Sequence, residues 1–157
     1  MPAIRSVLTA WATGVLCLCA VLAVLTRAQG LPVHAVLNAT SQWLHGAAVP
    51  LTAGPDAART GVGALTNVAA CLFWAAVAVA VHRRMPGNGR AAAWIAGLGT
   101  ALAAIILDYG ILPRAFSPGW HLVLPPAGVA AGFAAMGAGF ALGLRIPDPH
   151  PHHGDDR

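Results

Sequence analysis

The stretch AAAWIAGLGTALAAIILDYGIL, residues 91–112, consists of apolar and small residues with a single charged side chain, Asp108. An α-helix rises about 1.5 Å per residue, so roughly 20 residues suffice to cross the hydrocarbon core of a bilayer, which is about 30 Å thick. Three more runs of this kind occur at residues 6–26, 62–81 and 122–144. The sequence therefore predicts an all-α membrane protein with four transmembrane helices in a compact antiparallel bundle.

The composition indicates that nearly all of the mass lies in these spans. Hydrophobic residues make up 57% of the 157 residues, and charged residues only 9%, which leaves no room for a separate soluble domain. Residues 1–146 form one predicted membrane domain, and the polar, proline-rich residues 147–157 are expected to be a disordered tail. The first apolar run is about twice as long as the core of a signal peptide, so we expect it to remain as a span.

The arginines indicate how the chain is oriented. The chain contains no lysine, so its formal net charge of +4 depends on arginine alone. The side that holds both termini carries more of them than the other, with Arg5, Arg83, Arg84, Arg90 and Arg145 against Arg27, Arg59 and Arg114. The positive-inside bias places both termini in the cytoplasm, and the richness in Ala, Gly, Arg and Pro is typical of a GC-rich bacterium, which suggests a bacterial inner membrane.

Residues 31–45, between the first two spans, have the pattern of a short amphipathic helix. Pro32 suits the first helical turn, and Gly46 suits the position after the last turn. One face carries polar side chains at helical spacing, namely His34, Asn38, Ser41 and His45,. We expect this helix to lie in the outer interface, with its polar face turned to water or towards the outward ends of spans three and four. Residues 47–60 are expected to form a loop.

Small residues recur at helix-packing spacing in the last two spans. Gly97, Ala101 and Ala104 share one face of span three, and span four has such a face at Gly128, Gly132, Gly139 and Gly143. Such faces let helix backbones approach closely, which matters in lipid because the hydrophobic effect gives no net drive for helix association there. We expect tight packing around spans three and four within one chain; pairing between two copies is the alternative.

Asp108 lies about one turn from the outer end of span three, and an acid inside a membrane usually has a partner. Arg114, beyond Pro113, is the expected partner in an ion pair that ties the span to its turn. The alternative is a carboxylate that binds protons or cations. The sequence thus predicts an outward polar cluster as the candidate site, composed of His34, Asn38, Ser41, His45, Asp108, Tyr109, Arg114 and His121.

No motif for catalysis or for a cofactor stands out in the sequence. A phosphate-binding loop, a dinucleotide fingerprint, a nucleophile elbow and a zinc-protease motif are all absent from it,. His34 and His45 would be about 16.5 Å apart along one helix, too far to share a zinc ion. We expect no catalytic residue, no cofactor and no metal. The lipid bilayer is the expected partner, together with a second copy or another membrane protein, and nucleic acid is excluded because the arginines form no basic stripe.

Two segments, NATSQWLHG at residues 38–46 and DYGILPR at residues 108–114, resemble segments of small four-span membrane proteins of proteobacteria. The resemblance supports four spans, and it implies no activity, cofactor or catalytic residue.

The favoured hypothesis is a non-enzymatic inner-membrane protein, an accessory or lipid-interacting bundle, because the spans hold few polar groups that would form a pathway. Two alternatives stay open. One is a small oligomeric transporter or channel for protons or cations that uses Asp108. The other is an outward metal-binding or enzymatic site that uses His34, His45 and His121.

Overall fold

A computed structural model describes residues 2–48, 54–87 and 89–146, and these residues form helices and turns without a strand. The tail predicted at residues 147–157 lies outside the described residues. The α-helices are α1 Pro2–Ala28, α2 His34–Thr40, α3 Gln42–His45, α4 Val62–His82, α5 Arg90–Ile106 and α6 Pro126–Leu144.

Four helical segments are long and apolar enough to cross a membrane, which confirms the four predicted helices. With the π-helical turns that extend α4 and α5, they cover Ala3–Ala28, Ala57–His82, Arg90–Ile111 and Pro126–Leu144. The last one begins at Pro126 and not at residue 122 as predicted. Pro125 is extended (φ −66°, ψ 162°), since a residue that precedes a proline is disfavoured in the helical region.

α6 packs against α1 on one side and α5 on the other, with glycine at both contacts. A Cβ atom added to Gly139 would lie 2.5 Å from the carbonyl oxygen of Thr13 on α1. One added to Gly137 would lie 2.7 Å from the Cβ of Ala101 on α5. Close packing through small residues is therefore confirmed around the last two long helices, and the most extensive contact of α6 is with α1, which the sequence did not predict.

Two threonines of α1 add polar contacts to this interface. The Thr13 hydroxyl donates to the Gly139 carbonyl at 2.7 Å, and the Thr9 hydroxyl lies 3.4 Å from the Gly143 carbonyl. Both hydroxyls also contact carbonyls of their own helix. Hydrogen bonds between helices contribute about 0.6 kcal/mol on average in membrane proteins.

The amphipathic helix predicted across residues 31–45 is divided into two short helices. α2 ends at Thr40, α3 begins at Gln42, and Ser41 lies between them with φ −81° and ψ 5°. The Ser41 hydroxyl donates to the Asn38 carbonyl at 2.8 Å. A serine that bonds locally to the backbone competes with the regular helical ladder, and this explains the break. We call α2 and α3 together the cap segment, and the end of the bundle that carries it the cap end.

The loop predicted across residues 47–60 ends earlier than expected, and residues 49–53 of it lie outside the described residues. Asp56 caps a π-helical turn, Ala57–Gly61, by accepting the backbone N–H of Arg59 and pairing with its guanidinium at 2.8 Å. The backbone hydrogen bond from Arg59 is the main reason why the pKa of Asp56 is lowered. Aspartate is a favoured helix N-cap, so the helical extension follows from this residue.

We expect Gly139→Ala to lower the melting temperature in detergent, because its Cβ would force α6 away from the backbone of α1. Overpacking of this kind costs typically about 1–3 kcal/mol. Gly99→Ala on α5 is the matched control, since its Cβ would meet nothing within 4 Å and alanine favours a helix by roughly 0.5–1 kcal/mol. Thermal unfolding followed by circular dichroism compares the two. Equal melting temperatures for both variants would contradict the packing described here.

Candidate functional site

The residues of the predicted outward polar cluster fall into three groups. Those buried in a network of hydrogen bonds are Asn38 and Ser41. Those that line a cavity are Tyr109, Arg114 and His121. The third group is His34, His45 and Asp108, whose side chains belong neither to that network nor to the cavity wall.

The network fixes the cap segment on the helices below it, and Thr40 is its centre. The Thr40 hydroxyl accepts the side-chain amide of Asn67 on α4 at 3.0 Å and the indole N–H of Trp120 at 3.2 Å. It donates to the Val36 carbonyl at 3.1 Å. All three side chains are buried, so one hydroxyl joins α2, α4 and the turn that precedes α6.

Asn38 and Gln42 extend the network to both sides. The Asn38 side-chain oxygen accepts the Thr60 hydroxyl at 2.7 Å. The Gln42 amide donates to the carbonyls of Arg114 and Ser117 at 2.8 and 2.9 Å. Both carbonyls belong to the connection between α5 and α6. The Arg114 carbonyl also accepts the N–H and the hydroxyl of Ser117. The Ser117 carbonyl has no backbone donor among the described residues, and a buried carbonyl needs a donor.

The cap segment therefore turns its polar residues towards the protein. Asn38 and Ser41 are fully buried, whereas Trp43 and Leu44 are 46% and 57% exposed. The sequence left two surroundings open for this polar face, water or the outward ends of spans three and four, and at Asn38 and Ser41 the face meets protein and not water. Helical spacing shows which residues share a face, but water and a set of protein donors and acceptors satisfy such a face equally well.

A cavity of about 380 Å³ opens between the end of α5 and the start of α6 at the cap end. Its polar wall is formed by Tyr109, Arg114 and His121, and its apolar wall includes Ile105, Leu124 and Val129. The rings of Tyr109 and His121 meet edge to face, with 5.6 Å between centroids and an interplanar angle of 88°. The sequence predicted the polar residues of the cavity but not its apolar wall. In a predicted span, a leucine or valine that lines a cavity cannot be distinguished by sequence from one that faces lipid.

The polar wall of this cavity offers one cation that has no partner in the described part of the chain. The Tyr109 hydroxyl and the Nδ1 atom of His121 belong to side chains of this wall, but both atoms are enclosed by protein atoms and are not open to the cavity. The Arg114 guanidinium is exposed and forms neither an ion pair nor a hydrogen bond with any described residue. A concave, mainly apolar site with a few convergent polar groups is typical of small-molecule pockets.

The positive charge of Arg114 also affects the pKa of His121. The pKa of His121 is lowered from its ordinary value near 6.5, first by burial and then by the positive charge of Arg114,. The unfolded chain therefore takes up this proton at higher pH than the folded chain. His121 leaves stability unaffected above about pH 6.5 and reduces it as the pH falls below that value.

The predicted ion pair between Asp108 and Arg114 is not formed. Asp108 lies on the π-helical turn Leu107–Ile111, and among the described residues its carboxylate has no hydrogen bond or ion pair. Leu112 then becomes extended (ψ 146°), as expected before Pro113. This change of direction carries Arg114 to His121 and away from the carboxylate.

The histidines of the predicted metal-binding alternative do not converge. Within residues 2–48, 54–87 and 89–146, no three His, Cys, Asp or Glu side chains come together as a group that could hold a metal ion. His34 and His45 lie at opposite ends of the cap segment, and His121 faces the cavity. The described structure thus separates the three residues on which that alternative depends.

We expect Thr40→Val to lower the free energy of unfolding, because the substitution leaves the Asn67 amide and the Trp120 indole without their acceptor. Each buried group without a partner costs about 1–3 kcal/mol. Thr66→Val is the control, since the Thr66 hydroxyl accepts only the exposed indole of Trp43, at 3.3 Å. Unfolding by titration with a denaturing detergent measures both. A loss for Thr66→Val as large as that for Thr40→Val would show that the network does not fix the cap segment.

We expect Arg114→Gln to raise the pKa of His121, because it removes the positive charge that opposes protonation,. NMR titration of the chain with labelled histidine in micelles measures this pKa. Arg145→Gln, at the far end of α6 from the cavity, is the control and should leave the pKa where it is. An unchanged pKa in Arg114→Gln would place the guanidinium away from the imidazole in solution.

Comparison with protein-family models, with curated proteins and with solved structures finds no match for this chain.

Proposed function

We propose that the chain is a non-enzymatic, lipid-interacting protein of a bacterial inner membrane. In this proposal the four long helices are antiparallel spans, both termini face the cytoplasm and the cap segment lies on the outward side. The function is to hold lipid at the outward end of the bundle, where the cavity between α5 and α6 opens.

The observation that carries this proposal is the apolar surface of the long helices. Large side chains point away from the protein along them, for example Leu16, Leu65 and Phe73, which are 69%, 71% and 59% exposed. Soluble monomers rarely expose contiguous apolar patches of more than a few hundred Å². Acyl chains would cover this surface without a cost in free energy, since they are as apolar as leucine.

The position of the arginines supports the proposed orientation. Arg83 and Arg84 follow α4, Arg90 begins α5 and Arg145 follows α6, and all four are exposed. These residues would lie at the cytoplasmic surface, opposite the cap segment. Trp43 and Leu44, exposed on the cap segment, would then meet the outer headgroup region, which tryptophan favours.

The cavity supports binding as the function of the outward end. The cap segment uses its own polar groups to hold the α5–α6 connection in place, while the side chains of Tyr109, Arg114 and His121 remain directed to the cavity. A cation above an apolar wall is suited to an amphiphile.

A second candidate function is a transporter or channel for protons or cations, and one observation favours it. Asp108 has no partner among the described residues, and it lies on a π-helical turn. Acids inside spans often mark ion pathways, and π-helical turns occur frequently at functional sites. The lipid proposal needs no role for this carboxylate.

We expect reporter fusions to place both termini in the cytoplasm. Alkaline phosphatase should be inactive when fused after Arg145 and active when inserted after Gly54, because the enzyme folds only outside the cytoplasm. Green fluorescent protein at the same two sites serves as the control, and its fluorescence should show the opposite pattern. Phosphatase activity after Arg145 would overturn the proposed topology.

We expect Asp108→Asn to leave lipid binding unchanged, because Asp108 does not line the cavity. The purified variant and the parent chain are compared by the lipid that each retains and by proton and cation flux in liposomes. If the parent conducts protons or cations and Asp108→Asn abolishes the flux, the transporter is the correct function and the lipid proposal is wrong.

A further inference from the structure

A second cavity continues the first one along the same two helices. It has a volume of about 240 Å³, and its wall is apolar, with Leu98, Ala101, Leu102, Ala130 and Ala134 among the residues that form it. Ile105 lines both cavities, and the lining residues follow one another along α5 and along α6. The two cavities therefore form one groove, which we call the α5–α6 groove. It is polar at the cap end and apolar below.

The length of the groove matches one leaflet of a bilayer. From Leu98 to Tyr109 the helix advances by roughly 16 Å at about 1.5 Å per residue. Half of the hydrocarbon core is about 15 Å thick. An acyl chain that lies in the apolar part would thus run from the headgroup level to near the middle of the bilayer.

The polar end of the groove carries positive charge that the described residues do not neutralise. The Arg114 guanidinium has no ion pair among them. α6 begins at Pro126, in the wall of the groove, so the positive end of its helix dipole lies there too. The Tyr109 hydroxyl and the Nδ1 atom of His121 are enclosed by protein atoms, so the Arg114 guanidinium is the polar group that reaches the open groove. A negatively charged group would neutralise this guanidinium and the positive helix end together.

We propose that the α5–α6 groove binds one anionic phospholipid, with its phosphate at Arg114 and one acyl chain along Ala130 and Ala134. The inference rests on the proposed function, because it names the lipid that the outward end holds. The planar guanidinium can donate two parallel hydrogen bonds to a phosphate. Tyr109 and His121 then lie beside the headgroup, and the apolar wall excludes water from the chain.

The headgroup is tested by native mass spectrometry of the purified full chain with phosphatidylglycerol or phosphatidylcholine of the same acyl chains. We expect one phosphatidylglycerol to remain bound, with an affinity well above that of phosphatidylcholine. Arg114→Gln should weaken the binding of phosphatidylglycerol by roughly tenfold or more, since it removes charge-assisted hydrogen bonds. Arg145→Gln, at the other end of α6, is the matched control and should leave that affinity unchanged.

The acyl-chain half of the groove is tested with Ala134→Phe, which places a ring where the chain should lie. Ala103→Phe on α5 is the matched control, because Ala103 is equally exposed but does not line either cavity. We expect Ala134→Phe to abolish the retained phosphatidylglycerol and Ala103→Phe to preserve it. Both substitutions add a side chain at the surface, and circular dichroism checks that both variants are folded.

The outcomes separate the two proposals. Equal retention of both lipids, unaffected by Arg114→Gln but reduced by Ala134→Phe, would overturn the anionic headgroup and leave the lipid-binding function intact. Inorganic phosphate that binds as tightly as phosphatidylglycerol would show a site for a free anion, and the inference would be wrong. Retention of neither lipid, with no effect of Ala134→Phe, would refute the proposed function as well.

Discussion

The close approach of helix backbones around α6 is the constraint on which the rest of the structure depends. Glycine on α6 meets the backbone of α1 at Gly139 and the side of α5 at Gly137, without a side chain between the helices. In the proposed bilayer, lipid would offer no hydrophobic drive for association, so dispersion contacts at these short distances would hold the helices together. A larger residue at either glycine would change the spacing of three helices at once, and with it the width of the α5–α6 groove.

The polar network at the cap end is the second determinant, because it holds the connection between α5 and α6. Gln42 donates to the carbonyls of Arg114 and Ser117 in this connection. This fixes the backbone of Arg114 while its guanidinium stays directed to the cavity. The cap segment thus holds a backbone carbonyl that lies more than 70 residues away in sequence.

The sequence was sufficient to predict what depends on local pattern. Four apolar runs of membrane-spanning length gave the four long helices, and the spacing of small residues in the last span located its close contacts. Three of the predicted site residues, Tyr109, Arg114 and His121, do converge.

The partners of the polar residues were not predictable from local pattern, because they depend on how the chain changes direction between helices in the folded structure. Asp108 and Arg114 are near in sequence, but the extended Leu112 separates them, and the polar face of the cap segment found protein donors and acceptors instead of water.

The order of contacts along the chain bears on how the protein is assembled. Thr40 bonds to Trp120, 80 residues later, and Gln42 bonds to Ser117, 75 residues later. During synthesis α2 and α3 emerge long before these partners exist. The Gln42 amide must stay hydrated until the α5–α6 connection arrives, whereas Asn38 and Thr40 can already bond to Thr60 and Asn67. The docking of the cap segment is therefore completed only when the α5–α6 connection has emerged. A chain that stops before Trp120 would hold this segment on α4 alone.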